Sequence, residues 1–422
     1  MLDIKFIREN FDLVAEGIRR KNSKVNLEEF RSLDAQRRQI ISKSEEKKAE
    51  LNKVSKEIGV FMKEKKPVDS LKSRGKELST EIGSLDEELK KVETDLREVV
   101  LRIPNLPNKD IPTGDASHNK VVKEWGGPKT FDFQPKDHIS LAQELGLLDF
   151  ERGAKISGSG FMLYTGKGAS LVRALMNLML DLHTQSHGYT EVFTPFMVRR
   201  ECMIGTGQLP NLEEDMYRSN ADDLFLIPTA EVPITNMYRE EILKETELPL
   251  YRTGYSACFR REAGSYGKDT KGLVRVHQFD KVELVKFVKP EDSYGELEKL
   301  LQNAEAVLQL LGLQYRVLML ASGDMSFAAA KCYDIELFAP GMNRWLEVSS
   351  CSNFEDFQAR RANIRFKRKD GKTEFVHTLN GSGVAFPRLI VALLETYQQK
   401  DGSVMVPEPL RKYWRNYERI EK

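Results

Sequence analysis

From residue 71 onward, the apolar positions Leu71, Leu78, Ile82, Leu85, Leu89, Val92, Leu96, Val99 and Ile103 follow one another, after a first step of seven, by alternating fours and threes. That spacing is a heptad seam, the mark of a helix packed along one stripe against another helix. A looser seam precedes it through Leu27, Phe30, Leu33, Ile40, Ser44, Leu51, Val54, Ile58 and Phe61, with polar residues at some positions. Between the two lies Glu64-Lys65-Lys66-Pro67-Val68-Asp69. Proline cannot continue a helix interior, because it lacks the N–H and its ring clashes with the preceding turn. Two seams joined by so short a turn predict an antiparallel coiled-coil hairpin whose arms, at roughly 35 residues each, reach about 50 Å. Such an arm is too thin to enclose an active site, so its surface serves reach or binding. Two readings stand: a solvated coiled coil used for oligomerisation, or an RNA-binding arm. Lys63, Lys65, Lys66, Lys72, Arg74 and Lys76 near the tip suit phosphate contacts, but a charged exposed turn is also ordinary.

Beyond the hairpin the pattern changes. Pro104, Pro107 and Pro112 stiffen a polar connector, and Trp125-Gly126-Gly127-Pro128 punctuates the chain again. The expected division is a helical arm over 1–103, a linker over 104–127 and a body over 128–422. In the body, Ala169 to His187 reads as an amphipathic helix through Leu171, Leu175, Leu178 and Leu182. Glu191 to Pro195 reads as a strand stopped by proline, Val274 to Val288 as buried strand, and Phe386 to Tyr397 as helix. Strands without regular βαβ alternation favour an α+β fold built on an antiparallel sheet.

Composition narrows the class only modestly. The 422 residues carry 65 Lys and Arg against 64 Asp and Glu, a net charge of +1, so nothing global advertises nucleic acid. Cys202, Cys258, Cys332 and Cys351 are scattered, which argues against a disulfide framework or a cysteine zinc site. Cys258 and Cys351 read as small buried hydrophobes. The N-terminus has no apolar signal core, and no run of about 18 apolar residues occurs, so a cytoplasmic chain away from membranes is expected.

Phosphate chemistry is suggested by arginines rather than by a P-loop, whose G-x-x-x-x-G-K-[ST] pattern is missing from the sequence. Phe259-Arg260-Arg261-Glu262 opens a Gly-rich, mobile-looking loop running through Lys271, and the chain returns through Arg275, Val276 and His277. Asn380-Gly381-Ser382-Gly383 reads as a Gly-rich turn leading into a helix whose first turn carries Arg388. An arginine fork at a helix N-terminus is a ready anion site. His277 reads as a satisfied strand histidine rather than a base, and Lys331 with Arg360-Arg361 as solvated charge.

These strings resemble the three motifs of class II aminoacyl-tRNA synthetases. The helix ending at Gly188 with Pro195 is similar to motif 1, Phe259 to Glu262 to the F-R-x-E core of motif 2, and Gly383 to Arg388 to motif 3. Many members carry Ser between the motif 2 Arg and Glu, where this chain has Arg261. Longer strings resemble seryl-tRNA synthetases of the bacterial type: Pro228-Thr229-Ala230-Glu231, Val276 to Glu283, Glu347-Val348-Ser349-Ser350-Cys351-Ser352-Asn353, His377 to Gly383, and the tail from Val406 to Tyr413. The resemblance spans the whole chain, including the hairpin.

The resemblance implies roles. Arg260 would contact the α-phosphate and the serine carboxylate, Arg388 the γ-phosphate, and Arg275 a phosphate or the adenine side. Arg261, Glu262, Val348 and Ser349 complete the expected ATP site, with Glu262 meeting the adenine amino group or ordering the backbone. Glu347 and Ser350 would ligate Mg2+. Thr229 and Glu231 would hold the substrate amino group, with Ala230 between them part of the serine site, and Glu283 and Ser382 would read the serine hydroxyl. A pocket that merely fits a small side chain discriminates alanine poorly, whereas buried polar partners left unpaired reject it strongly. The implied partners are ATP, L-serine and a serine tRNA, with selenocysteine tRNA a further acceptor, and the implied assembly is a homodimer whose hairpin holds the long variable arm of the tRNA. Two rivals differ in class: a relative that activates a small amino acid for a carrier protein, and an RNA-binding protein that has kept the fold but lost catalysis.

Overall fold

The computed structural model describes residues 1–262 and 272–422. Their contacts divide the chain into two compact units, one of residues 2–19 and 23–104, the other of residues 1, 20–22 and 105–422.

In the first unit, α1 (Ile4–Glu9) and α2 (Phe11–Arg20) precede two long helices, α3 (Leu27–Lys63) and α4 (Asp69–Arg102). Asn26 caps α3, its Oδ1 accepting from the Glu28 N–H at 3.1 Å, and Glu28 and Glu29 complement the dipole of the first turn. The turn falls at the proline-containing stretch, where Lys65 takes a left-handed φ of 57°. Phe30, Ile40, Val54, Leu78, Ile82, Val92, Leu96 and Val99 are buried along the seam. Leu51, Ile58, Phe61, Leu71, Leu85 and Leu89 are only half-buried, because two helices alone leave one flank of each seam residue open. Asp34 lies outside the apolar pattern, yet it is 2% exposed. Arg8 grips both its oxygens at 2.6 and 2.8 Å, and Arg38 approaches at 3.2 Å.

The second unit is built on an eight-stranded sheet. Its strands are β1 (Lys120–Trp125), β2 (Thr190–Glu191), β3 (Leu250–Phe259), β4 (Gln278–Val288), β5 (Tyr315–Met319), β6 (Lys331–Ala339), β7 (Arg344–Asn353) and β8 (His377–Ala385). Among the described residues they run in the order β1-β5-β6-β7-β8-β4-β3-β2, antiparallel except for the short parallel pairing of β2 with β3. One face is covered by α5 (Gly166–Ser186), and the remaining helices that matter here are α6 (Arg200–Thr206), α7 (Glu231–Asn236), α8 (Ser293–Leu310), α9 (Phe357–Ala362) and α10 (Phe386–Tyr397). Leu171, Leu175 and Leu178 of α5, Leu297 and Leu300 of α8, and Leu389 and Leu393 of α10 share one core with Leu284, Val317 and Ile335 of the sheet. The α+β architecture, antiparallel sheet and helical hairpin are those expected.

Several local expectations are corrected. The stretch 104–127, read as a linker, contains β1, which closes one edge of the sheet against β5. Its sequence, Lys-Val-Val-Lys-Glu-Trp, shows no alternation of apolar and polar residues, and its burial is slight, which disguised it as connector. Asn380-Gly381-Ser382-Gly383 is strand rather than turn, because Gly381 and Ser382 pair with Leu284 and Glu283. The strand read from Val274 begins only at Gln278. Arg361 is 8% exposed, donating to the carbonyls of Ile204 and Leu209 at 3.0 and 3.2 Å, so it is not solvated. Lys331 lies over the Tyr333 ring at 5.0 Å. Most of the Gly-rich loop through Lys271 falls at residues 263–271, outside the described residues.

Candidate active site

Strands β3, β4, β7 and β8 sit side by side in the sheet, and Glu283, Glu347, Ser350 and Ser382 project from them on the face away from α5 and α8. Two clefts open there. The first, about 590 Å³, is lined by Arg260, Glu262, Arg275, Phe279, Glu347, Val348 and Arg388 among others. The second, about 750 Å³, is lined by Thr229, Glu231, Ser350, Ser352, Asn380 and the irregular strip Ser326-Phe327-Ala328. Arg260, Lys281, Glu347 and Ser382 line both, so the clefts meet at those four side chains.

The first cleft is cationic. Arg260 leaves the end of β3 with its N–H bonded to the His277 carbonyl at 2.9 Å, and its guanidinium lies 5.1 Å from the centre of the Phe279 ring. Arg275 donates to Glu262 at 2.9 Å, and Glu262 holds a left-handed φ of 52°. Arg388 donates to the Val274 carbonyl at 3.0 Å and to the Glu347 carbonyl at 2.6 Å, which braces its fork between β7 and the irregular segment that leads into β4.

Arg388 reaches this place through a bulge. The β8–β4 register slips between Ser382 and Ala385. A Cβ on Gly383 would stand 2.9 Å from His183 Nε2, so no side chain fits there. Val384 follows at φ 94°, a conformation costing a β-branched residue roughly 1–3 kcal/mol. Strain of this kind persists only where surrounding packing imposes it, here at the point where the strand turns into α10 with Pro387 in its first turn.

The second cleft is a buried polar network. Glu283 is fully buried on β4. Its Oε2 accepts from Thr229 Oγ1 at 3.0 Å and pairs with Lys281, while Oε1 accepts from Asn380 Nδ2 at 3.0 Å. Lys281 also donates to Thr229 Oγ1 at 2.9 Å. Glu231 opens α7, and Gln358 of α9 donates to it at 2.7 Å. Burial, then the neighbouring charge of Glu283, pushes the Glu231 carboxyl up to about 7, against the Gln358 hydrogen bond.

The Glu347 and Ser350 side chains project from β7 on the cleft face. Glu347 is about half exposed, and Ser350 Oγ lies 3.1 Å from Cys332 Sγ. Behind Ser350, burial and the charge of Glu347 hold the Asp334 carboxyl well above the usual carboxylate range. Among the described residues no group of three or more His, Cys, Asp or Glu side chains could hold a metal. One exposed carboxylate and one hydroxyl are instead the sparse oxygen set that Mg2+ accepts when substrate phosphates and water complete its shell.

Four expected site residues line neither cleft. Glu283 stands behind Thr229 and Asn380. Ala230 packs into an apolar core with Ile234 and Val285. Ser349 points to the opposite face and donates to the Ser382 carbonyl at 2.6 Å. Arg261 is exposed, its N–H bonded to the Asp215 carbonyl at 2.9 Å. Sequence reasoning missed Lys281, Phe279, Asn380 and Gln358. The first two were readable, since Phe279, Lys281 and Glu283 share one face of a strand at period two. Gln358 left no local signal. His277 stacks on Phe161 at 5.4 Å and contacts the Arg260 carbonyl at 3.0 Å. Cys258 and Cys351 are fully buried.

Residues 212–397 match the tRNA synthetase class II core domain (G, H, P, S and T), and residues 1–107 match the seryl-tRNA synthetase N-terminal domain. The serine–tRNA ligase of Carboxydothermus hydrogenoformans is 55% identical over 415 residues, covering 98% of both chains. That of Geobacter sulfurreducens is 53% identical over 422 residues, covering 100% of both. Among solved structures, seryl-tRNA synthetase from Pyrococcus horikoshii complexed with ATP superposes with a TM-score of 0.93 at 38% identity, covering 100% of this chain and 99% of that one. Likeness of this extent, running through both the hairpin and the catalytic sheet, means that the chain belongs to the seryl-tRNA synthetase family.

Proposed function

We propose that this chain activates L-serine with ATP where the two clefts meet and passes the seryl group to the 3′ end of serine tRNA. The observation that carries the reading is the network around Glu283: a fully buried carboxylate held by Thr229, Lys281 and Asn380, next to a cleft lined by Arg260, Arg275 and Arg388. Such a network suits a small polar substrate and would be costly beside an apolar one.

Serine sits in the second cleft with its ammonium toward Thr229 and Glu231 and its hydroxyl toward Glu283 and Ser382. Its carboxylate lies at Arg260, where the clefts join, and ATP fills the first cleft against Arg275 and Arg388. A serine carboxylate oxygen attacks the α-phosphorus, the bond to the bridging oxygen breaks, and pyrophosphate leaves. Arg260 and Arg388 are fixed in advance where negative charge accumulates, which is how electrostatic preorganisation lowers such barriers. Glu347 and Ser350 would hold Mg2+, which when bound neutralises phosphate charge. In the second step a terminal ribose hydroxyl of the tRNA attacks the seryl carbonyl, loses its proton, and AMP departs.

The hairpin serves as the tRNA arm, reading the shape and backbone of a long variable arm rather than base edges. The chain works as a homodimer, for which Phe193 at 79% and Met197 at 41% exposure, on either side of Pro195, offer an apolar face. It works in the cytoplasm, and selenocysteine tRNA is a second acceptor. No helix among the described residues is long and apolar enough to cross a membrane.

The test is amino-acid-dependent ATP–pyrophosphate exchange with serine, threonine, alanine, glycine and proline. Exchange with serine alone supports the reading. Exchange with another amino acid would mean the pocket has been misassigned, and none at all would favour a binding protein. Removing residues 30–100 then separates acceptors: exchange persists while tRNA charging collapses. A carrier-protein acceptor would be indifferent to that deletion.

A further inference from the structure

The strip Ser326 to Ala330 runs without regular secondary structure along one side of the second cleft. Its five consecutive carbonyls are each taken by a donor distant in sequence. Lys21 Nζ donates to the carbonyls of Ser326 and Ala329, at 2.6 Å each. The Asn105 N–H donates to the Phe327 carbonyl at 3.1 Å, and its side-chain amide donates to those of Ala328 at 2.9 Å and Phe354 at 2.8 Å. The Asn108 N–H takes the Ala330 carbonyl at 2.8 Å. Irregular backbone has no ladder to fix it, so its position is set by whatever satisfies its polar groups.

The opposite side of this strip faces the substrate end of the cleft. Ser326, Phe327 and Ala328 line it together with Ser350, Ser352 and Phe354. The strip also touches the far lip, since a Cβ at Gly207, just after α6, would stand 3.4 Å from Ala328 Cβ. The donors lie in the two short stretches that flank the hairpin in the sequence, Lys21 before α3 and Asn105 after α4.

We propose that Lys21 and Asn105 are positioning residues for the amino-acid pocket: by holding the carbonyls of residues 326–329 from behind, they set the wall against which serine is seated. Neither touches substrate. The inference rests on the assignment of the second cleft to serine. Displacing the wall weakens the fit of the small substrate without altering the arginines that hold ATP.

The experiment is ATP–pyrophosphate exchange with Lys21→Met, Asn105→Ala and Lys21→Arg in the full chain, varying serine and ATP separately. For the first two, KM for serine rises about tenfold or more while kcat changes by less than roughly threefold and KM for ATP by less than about twofold. Lys21→Arg, which keeps donors at that position, lies closer to the parent. A serine KM within about twofold of the parent in folded variants overturns the inference, as does a fall in kcat with both KM values unchanged, the mark of a stabilising role alone. Serine-dependent exchange by the parent is the separate check on the activity. If Lys21→Met does not fold, Asn105→Ala, which removes only a side-chain amide, carries the same expectation.

Discussion

The side-chain amide of Gln358 donates to Glu231 Oε1 at 2.7 Å, while Gln358 Oε1 accepts from Thr378 Oγ1 at 2.8 Å. The Thr206 carbonyl, which can only accept, takes the same amide nitrogen at 3.2 Å and fixes which way the amide points, so Glu231 is met by N–H rather than by oxygen. A buried carboxyl is thereby held at one oxygen, and the proposed function assigns the other to the substrate ammonium.

Glu231 yields a pH prediction. Its carboxyl is raised from 4.5 to about 7, chiefly by burial. The ammonium of serine favours the ionised form, so binding near pH 6 expels close to one proton, and above about pH 8 almost none. Titration calorimetry in two buffers of different ionisation heat reads this directly. Equal heats at pH 6 would remove Glu231 from the ammonium site. The folded state here holds its proton more tightly than the unfolded one. This group's contribution to stability therefore declines as pH rises from 4.5 to 7, by at most about 3 kcal/mol.

Arg260→Ala is expected to lower serine-dependent exchange by about 10²- to 10³-fold, the usual cost of losing a preorganised donor at developing charge. The side chain is exposed, so thermal melting shifts little. Loss of exchange together with a large fall in Tm would point to a structural role instead.

Glu283→Gln is expected to reduce the preference for serine over alanine by about 10²-fold or more, because a pocket relying on size alone separates such neighbours weakly. It also leaves Lys281 buried without its anionic partner, a loss that typically costs about 3–5 kcal/mol. Exchange with alanine and serine, alongside denaturant melts, separates the two effects. An unchanged serine preference would remove Glu283 from hydroxyl reading.

In the hairpin, Leu96→Ala should destabilise by about 2–5 kcal/mol, since Leu96 is 1% exposed and leaves a cavity. Leu85→Ala, at a half-buried seam position nearer the tip, should cost distinctly less. Melting of the two variants by circular dichroism checks the order.

The parts of the fold legible in the sequence are those in which neighbouring residues decide the outcome. The alternating fours and threes of α4, the proline at the turn and the apolar face of α5 all act within a few residues of backbone. The candidate site was legible wherever a string carried several of its members together, as in Phe259 to Glu262 and Glu347 to Ser350. Alternation within β4 further implied that Lys281 shares a face with Glu283.

By itself, then, the sequence determined the helical arm, the α+β body and the identity of most groups with chemistry to offer, because periodicity and local strings are properties of the chain. Only the tertiary structure decided that 120–125 is an edge strand, since an exposed strand has no burial pattern and is defined by the partner β5. Only it turned Ser349 and Ala230 away from the clefts, since a register shift between β6 and β7, where Ile335 faces Ser349 and Glu336 faces Glu347, and the packing of one helix choose the face. It alone brought Gln358 to Glu231, 127 residues apart, and Lys21 to Ser326, 305 apart. Hydrogen bonds at such separations depend on where whole elements come to rest, and nothing in the local pattern of either partner specifies the other.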